Sequence, residues 1–182
     1  MILNLLRKDK ATGSVFAVYS AIVAQSRQPH FYAHWGVPDT VTGRFDMISL
    51  HLALVFMRLR REGGAAATFA QELFDLFFKD MDRSLREMGV GDLGVPKRVQ
   101  KMSSVFYGLL ASLSEALDAK DRPALETVLK RNIYADMPDH DAGPLAAYLL
   151  AQADRLAAMP ASTITGGTVT FSEPSHDQAH SA

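Results

Sequence analysis

Six histidines, twenty carboxylates and no cysteine are what this chain offers to chemistry. His30 and His34 stand four apart, the spacing that on a helix turns two imidazoles toward one ion. A zinc hydrolase also needs a glutamate beside the first histidine, and the surrounding Q-P-H-F-Y-A-H-W-G-V-P-D-T is punctuated by Pro29 and Pro38 and reads as a loop whose aromatics fold back over the core. His140 between Asp139 and Asp141 resembles a ligand cluster, yet the same residues suit the start of a helix. His51 alone lies in a strongly apolar run. It reads either as a haem ligand, with Met47 or Met57 near in sequence, or as a hydrogen-bonded core histidine. No Glu-x-x-His pair of a di-iron bundle is present. The glycine-rich G-V-G-D-L-G lacks the preceding strand and the Lys-Ser/Thr of a phosphate-cradling loop, and Ser103 and Ser104 have no histidine near in sequence. These residues predict no catalytic, cofactor or metal site, and so a binding protein, not an enzyme.

One cluster does ask for a ligand. Lys97, Arg98 and Lys101 crowd the first turns of a helix opened by Pro96, where their charge opposes the helix dipole. Arg83 and Arg86 lie on the preceding helix, along with Phe74 and Phe78, which widen its apolar stripe. The seven residues Phe74, Phe78, Arg83, Arg86, Lys97, Arg98 and Lys101 form the candidate surface. It is an apolar groove flanked by that helix and the loop 89–95, beside a basic turn that meets an anion.

The elements that position this surface follow from periodicity. Phe69, Leu73, Leu76, Phe77, Met81, Leu85 and Met88 recur every three or four residues, an amphipathic helix from 65 ended by Gly89 as its C-cap. Asp75–Lys79 and Asp82–Arg86 have the spacing of exposed pairs. Val99, Met102, Phe106, Leu109, Leu113 and Leu117 mark a helix over 95–119, in which Gly108 suggests a close backbone contact. The run 42–61 leaves little polar surface and is the buried centre, and 13–28 is a first helix with Val15, Tyr19, Ile22 and Val23 inward. Arg7, Lys8 and Lys10 before V-F-A-V-Y-S-A-I-V-A superficially imitate a signal peptide, but the run lacks Leu and leads straight on, so it reads as helix. Asp121 and Pro123 start a fifth helix ended at Met137-Pro138. Asp141 and Pro144 start a sixth, with Leu145, Leu149, Gln152 and Leu156 inside. From Pro160 the composition turns to Ser, Thr, Gly and Pro, which predicts a disordered tail over 160–182. No alternating strand pattern appears. The expectation is an all-α, single-domain bundle of about six helices over 1–159. With 182 residues, 48% hydrophobic and a net charge of -1, the chain is an ordinary globular protein and not a DNA binder by charge. Without cysteine it has neither disulfides nor thiolate metal sites. No run reaches the roughly 20 apolar residues of a membrane span.

The block G-V-P-D-T-V-T-G-R-F-D-M-I-S-L-H, continuing to R-L-R-R, then E-L-F-D-L-F-F-K-D-M-D-R-S-L-R-E-M-G-V-G-D-L-G-V-P-K-R-V-Q-K-M and R-N-I-Y, resembles the ubiquinol–cytochrome c chaperone family in its alphaproteobacterial form. The likeness spans about 19 to 134. It implies an assembly factor for the cytochrome bc1 complex, respiratory complex III, with no catalytic residues to carry over. Mitochondrial relatives assist maturation of newly made cytochrome b, act with a small partner protein and contact the ribosome. For this chain the resemblance implies cytochrome b as client, a small partner protein, and the ribosome or an anionic membrane surface as the match for the basic turn. It also implies a cytoplasmic location, peripheral at the inner membrane. The alternatives are a haem-binding or haem-delivery protein for the same complex, resting on His51, His30 and His34, and a ribosome- or membrane-surface adaptor without a client groove.

Overall fold

The computed structural model describes residues 2–175, with side chains described from Thr12 onward. Its described elements are all helical: α1 (Ile2–Ser26), α2 (Pro29–Ala33), α3 (Val41–Arg60), α4 (Gly64–Glu87), α5 (Val95–Asp118), α6 (Arg122–Asn132), α7 (Gly143–Ala158) and α8 (Ala161–Thr165). The six long ones are the six that periodicity predicts.

The apolar content of α3 makes it the hub. Met47, Leu50, Leu52, Ala53, Val55 and Leu59 are fully buried, and α1, α4, α5 and α7 all pack against it. Burial of each large apolar side chain contributes about 1.5–3 kcal/mol. Thr40 starts α3 by accepting a hydrogen bond from Gly43 N at 3.1 Å, and Asp121 starts α6 in the same way from Ala124 N at 2.9 Å; each cap satisfies an amide that the first helical turn leaves unpaired. The arginines at the end of α3 join neighbouring helices. Arg58 donates to the carbonyls of Leu156 and Met159 at the end of α7, and Arg61 pairs with Asp118 at the end of α5.

Against the sequence reading, α1 begins at Ile2, ahead of the expected 13, α6 ends at Asn132, short of the expected Met137, and two further stretches depart more deeply. Part of the expected loop after α1 is the short helix α2, which sets Phe31 and Trp35 into the core at 0% and 4% exposure. The loop after it turns at Gly36, whose φ of +62° suits glycine. A Cβ there would lie 2.3 Å from the His140 ring. That ring packs against Tyr134, centroids 4.4 Å apart and planes tilted by 34°, and both side chains donate to the Trp35 carbonyl, Tyr134 Oη at 2.8 Å and His140 Nε2 at 3.0 Å. Tyr134, the last residue of R-N-I-Y, and His140 thus anchor the α2–α3 loop.

The disordered tail expected from Pro160 is corrected for its described part. Ile164 and Val169 are buried, Arg155 Nε donates to Thr170 O, and Ser172 exchanges hydrogen bonds with Gln152 and Gln25. Composition points to disorder because this segment adds few large apolar side chains, Ile164, Val169 and Phe171; α8 packs on α1 and α4, and Phe171 meets the His51 ring edge-on, contacts that local periodicity does not reveal. Residues 176–182 lie outside the described residues.

Candidate functional site

The helix hairpin α4–α5 carries all seven candidate residues. α4 ends as expected: Gly89 has φ +82°, its N–H meets Arg86 O, and the Val90 N–H reaches back to Leu85 O at 3.0 Å, a Schellman cap. The chain then crosses to Val95, which is fully buried and fixes the start of α5.

The aromatic residues form one connected stack from core to surface. Phe77 lies 4.8 Å from Phe78 and stacks on Phe45. Phe78 touches Phe74 at 4.6 Å, and Phe74 touches Tyr107 at 5.3 Å. Phe78 faces inward at 9% exposure, Phe74 is half-buried, and the stack surfaces at Tyr107, 46% exposed; Val105, 43% exposed, stands two residues earlier and so on the other flank of the inner stripe of α5. Next to Tyr107 a groove of about 370 Å³ runs between α3 and α5 past Phe56, Met57 and Leu110. Sequence periodicity missed Tyr107 and Val105 because they lie off the inner stripe of α5. The signal available was two bulky apolar side chains among Ser103, Ser104 and Gly108.

The charged candidates separate into two groups. Arg83 pairs with Asp80 and Glu87, and Arg86 with Asp82 and Asp92, so the predicted Asp82–Arg86 pair is present. Asp75 instead accepts the Gln71 amide at 2.8 Å. Lys97, Arg98 and Lys101 are exposed and, among the described residues, have no ion-pair partner. At the turn, Leu93 is 91% exposed and Met88 52%. Met88 therefore leaves the inner stripe to which spacing assigned it, because the helix ends there. Gly108, expected to mark a close contact, has nothing within 4 Å of a Cβ built on it.

The buried polar groups hold helices together. His51 is fully buried and both ring nitrogens are engaged: Nδ1 with Met47 O at 2.8 Å, Nε2 with Tyr148 Oη at 2.9 Å. Gln25 donates to the same tyrosine at 2.9 Å, so Tyr148 donates to Nε2 and the proton of His51 sits on Nδ1. Burial holds His51 down at about 4, neutral at physiological pH, and pushes the Tyr148 hydroxyl above its ordinary value. An axial haem ligand needs the lone pair that Tyr148 already occupies. His30 and His34 face each other at 4.6 Å on and just after α2. Among the described residues no three His, Cys, Asp or Glu side chains gather as a metal set. Asp141 accepts from Gly143 N at 2.8 Å, one residue ahead of Ala142, which caps α7 without a side-chain bond. Among the described residues no helix is long and apolar enough to cross a membrane.

The sequence pattern of the ubiquinol-cytochrome C chaperone family matches residues 33–171. That match extends beyond α6 through α7 and the packed strap after it. The crystal structure of the Cbp3 homolog from Brucella abortus is similar at 44% identity and a TM-score of 0.85, covering 95% of this chain and 97% of that one. Ubiquinol-cytochrome-c reductase complex assembly factor 1 of Xenopus laevis is 22% identical over 126 residues, 69% of this chain and 62% of that protein. The Mus musculus protein of the same description is 22% identical over 114 residues, 63% of this chain and 39% of that one. The chain thus spans less than two thirds of the length of these two relatives.

Proposed function

Because the chain belongs to the ubiquinol-cytochrome C chaperone family, we propose that it is a non-catalytic assembly chaperone of the cytochrome bc1 complex whose client is newly made cytochrome b. The observation that carries this reading to particular residues is the aromatic stack of α4 and α5 that ends in exposed Tyr107. A rigid aromatic end at a surface groove offers large apolar contact area with little side-chain entropy to lose. That suits an apolar segment waiting to join its complex. Phe74 supports the platform with its exposed edge, and Phe78 backs it from inside. Binding is favoured over catalysis because the strongly shifted His51 and Tyr148 are spent on each other inside the core. The same pairing weighs against haem delivery through His51.

The test is deletion of the gene in its host. The bc1 complex should fall while cytochrome b transcript stays level, and the wild-type gene should restore it. Complementation with Tyr107→Asp should fail although the protein accumulates. Normal bc1 levels in the deletion strain would remove the proposal.

A further inference from the structure

The turn between α4 and α5 combines two features that the client reading does not use. Leu93 is 91% exposed and Met88 52%, so neither contributes much to the fold. They share a surface recess of about 670 Å³ with Val90, Arg98 and Asp92, whose charge is met by Arg86. Beside them Lys97, Arg98 and Lys101 are exposed and, among the described residues, unpaired. The two arginines of α4 are spread over Asp80, Asp82, Glu87 and Asp92, so the positive field at this end belongs to α5, which carries no carboxylate before Glu115.

We propose that this turn is a membrane foot: Leu93 and Met88 enter the headgroup layer of an anionic bilayer, and Lys97, Arg98 and Lys101 meet lipid phosphates. Cations flanking an exposed aliphatic tip are the composition that partitions to such an interface. Single-stranded RNA would be met with aromatic side chains for base stacking, and residues 88–101 hold none. An aliphatic side chain exposed to this degree gains nothing from a polyphosphate, whereas burial among acyl chains rewards it. The attachment is peripheral and reversible. It stands apart from the client reading, since vesicle binding and cytochrome b capture are separate measurements and either can fail alone.

The experiment is co-sedimentation of the purified full chain with phosphatidylcholine vesicles, with and without phosphatidylglycerol, and fluorescence anisotropy with poly(U). Binding to the phosphatidylglycerol vesicles and not to pure phosphatidylcholine is expected, weakening steeply with salt. Each cation near an anionic leaflet strengthens binding about fivefold, so Lys97→Glu/Arg98→Glu/Lys101→Glu should weaken it about a hundredfold or more. Leu93→Asn should weaken it about tenfold through lost apolar burial. All four positions are exposed, so the melting temperatures should match wild type, which keeps the comparison free of folding effects. No binding to anionic vesicles, vesicle binding indifferent to Leu93→Asn, or displacement from vesicles by poly(U) at lower concentration than by lipid would each overturn the proposal.

Discussion

Replacing Asp46 by Asn tests the core at the point where burial and charge conflict. Asp46 lies half-buried in α3, has no hydrogen-bond or ion-pair partner among the described residues, and burial lifts its carboxyl from 3.8 to about 7. An unfolded chain therefore loses this proton at lower pH than the folded one. The stability Asp46 contributes is full below pH 3.8 and is lost as pH rises through about 7. His51 runs the other way. Its folded value of about 4 lies below 6.5, so its contribution is full above 6.5 and is lost as pH falls through about 4. Between these limits the two protons cancel, and this pair leaves wild-type stability nearly level. Asp46→Asn removes one side. At about 1.4 kcal/mol per pH unit the penalty reaches about 4 kcal/mol, and solvent access at a half-buried position brings the expected value to about 2–3 kcal/mol. The variant should thus equal wild type near pH 4, apart from a constant offset for the amide, and exceed it by about 2–3 kcal/mol at pH 8. Urea unfolding from pH 4 to 8, followed by the fluorescence of the single tryptophan, Trp35, which is 4% exposed, measures this directly. A difference between variant and wild type that does not grow with pH would refute the reasoning.

Three further outcomes follow from the packing. Tyr148→Phe leaves His51 Nε2 without its donor and one Gln25 N–H without its acceptor, and should cost about 1–3 kcal/mol in urea unfolding. Gly36→Ala forces a β-carbon into the His140 ring at a positive φ. It should lower stability by more than about 2 kcal/mol and loosen the α2–α3 loop, seen as faster amide exchange at Val37. Gly108→Ala meets open space inside α5 and should raise stability by about 1 kcal/mol; a loss would mean that the chain itself needs that glycine.

The sequence shows the helices because each carries an apolar repeat strong enough to read locally, α3 and α4 most clearly. It shows the capping at Asp121 and Gly89 because those caps are made within a few residues. What it hides depends on partners far along the chain. α2 is five residues long and is held by Phe31 and Trp35 against α3 and α7. The strap after α8 is held by Gln25, Gln152 and Arg155, whose roles only the fold discloses. At the candidate site, the basic turn is legible from Lys97, Arg98 and Lys101 because their charge sits at the wrong end of a helix. The exposed end of the aromatic stack is not, since exposure of Tyr107 depends on how α5 rotates against α3 and α4. Met88 fails for a related reason: a repeat does not say whether its last member lies on the helix or past its packed length.

The most direct measurement places a photocrosslinking amino acid at position 107 and, as a control, at exposed Thr127 on α6, in cells synthesising labelled cytochrome b. The account predicts a crosslink to newly made cytochrome b from position 107 that is absent from position 127 and fades once the bc1 complex has assembled. Crosslinks of equal yield from both positions, or none to cytochrome b from position 107, would contradict it.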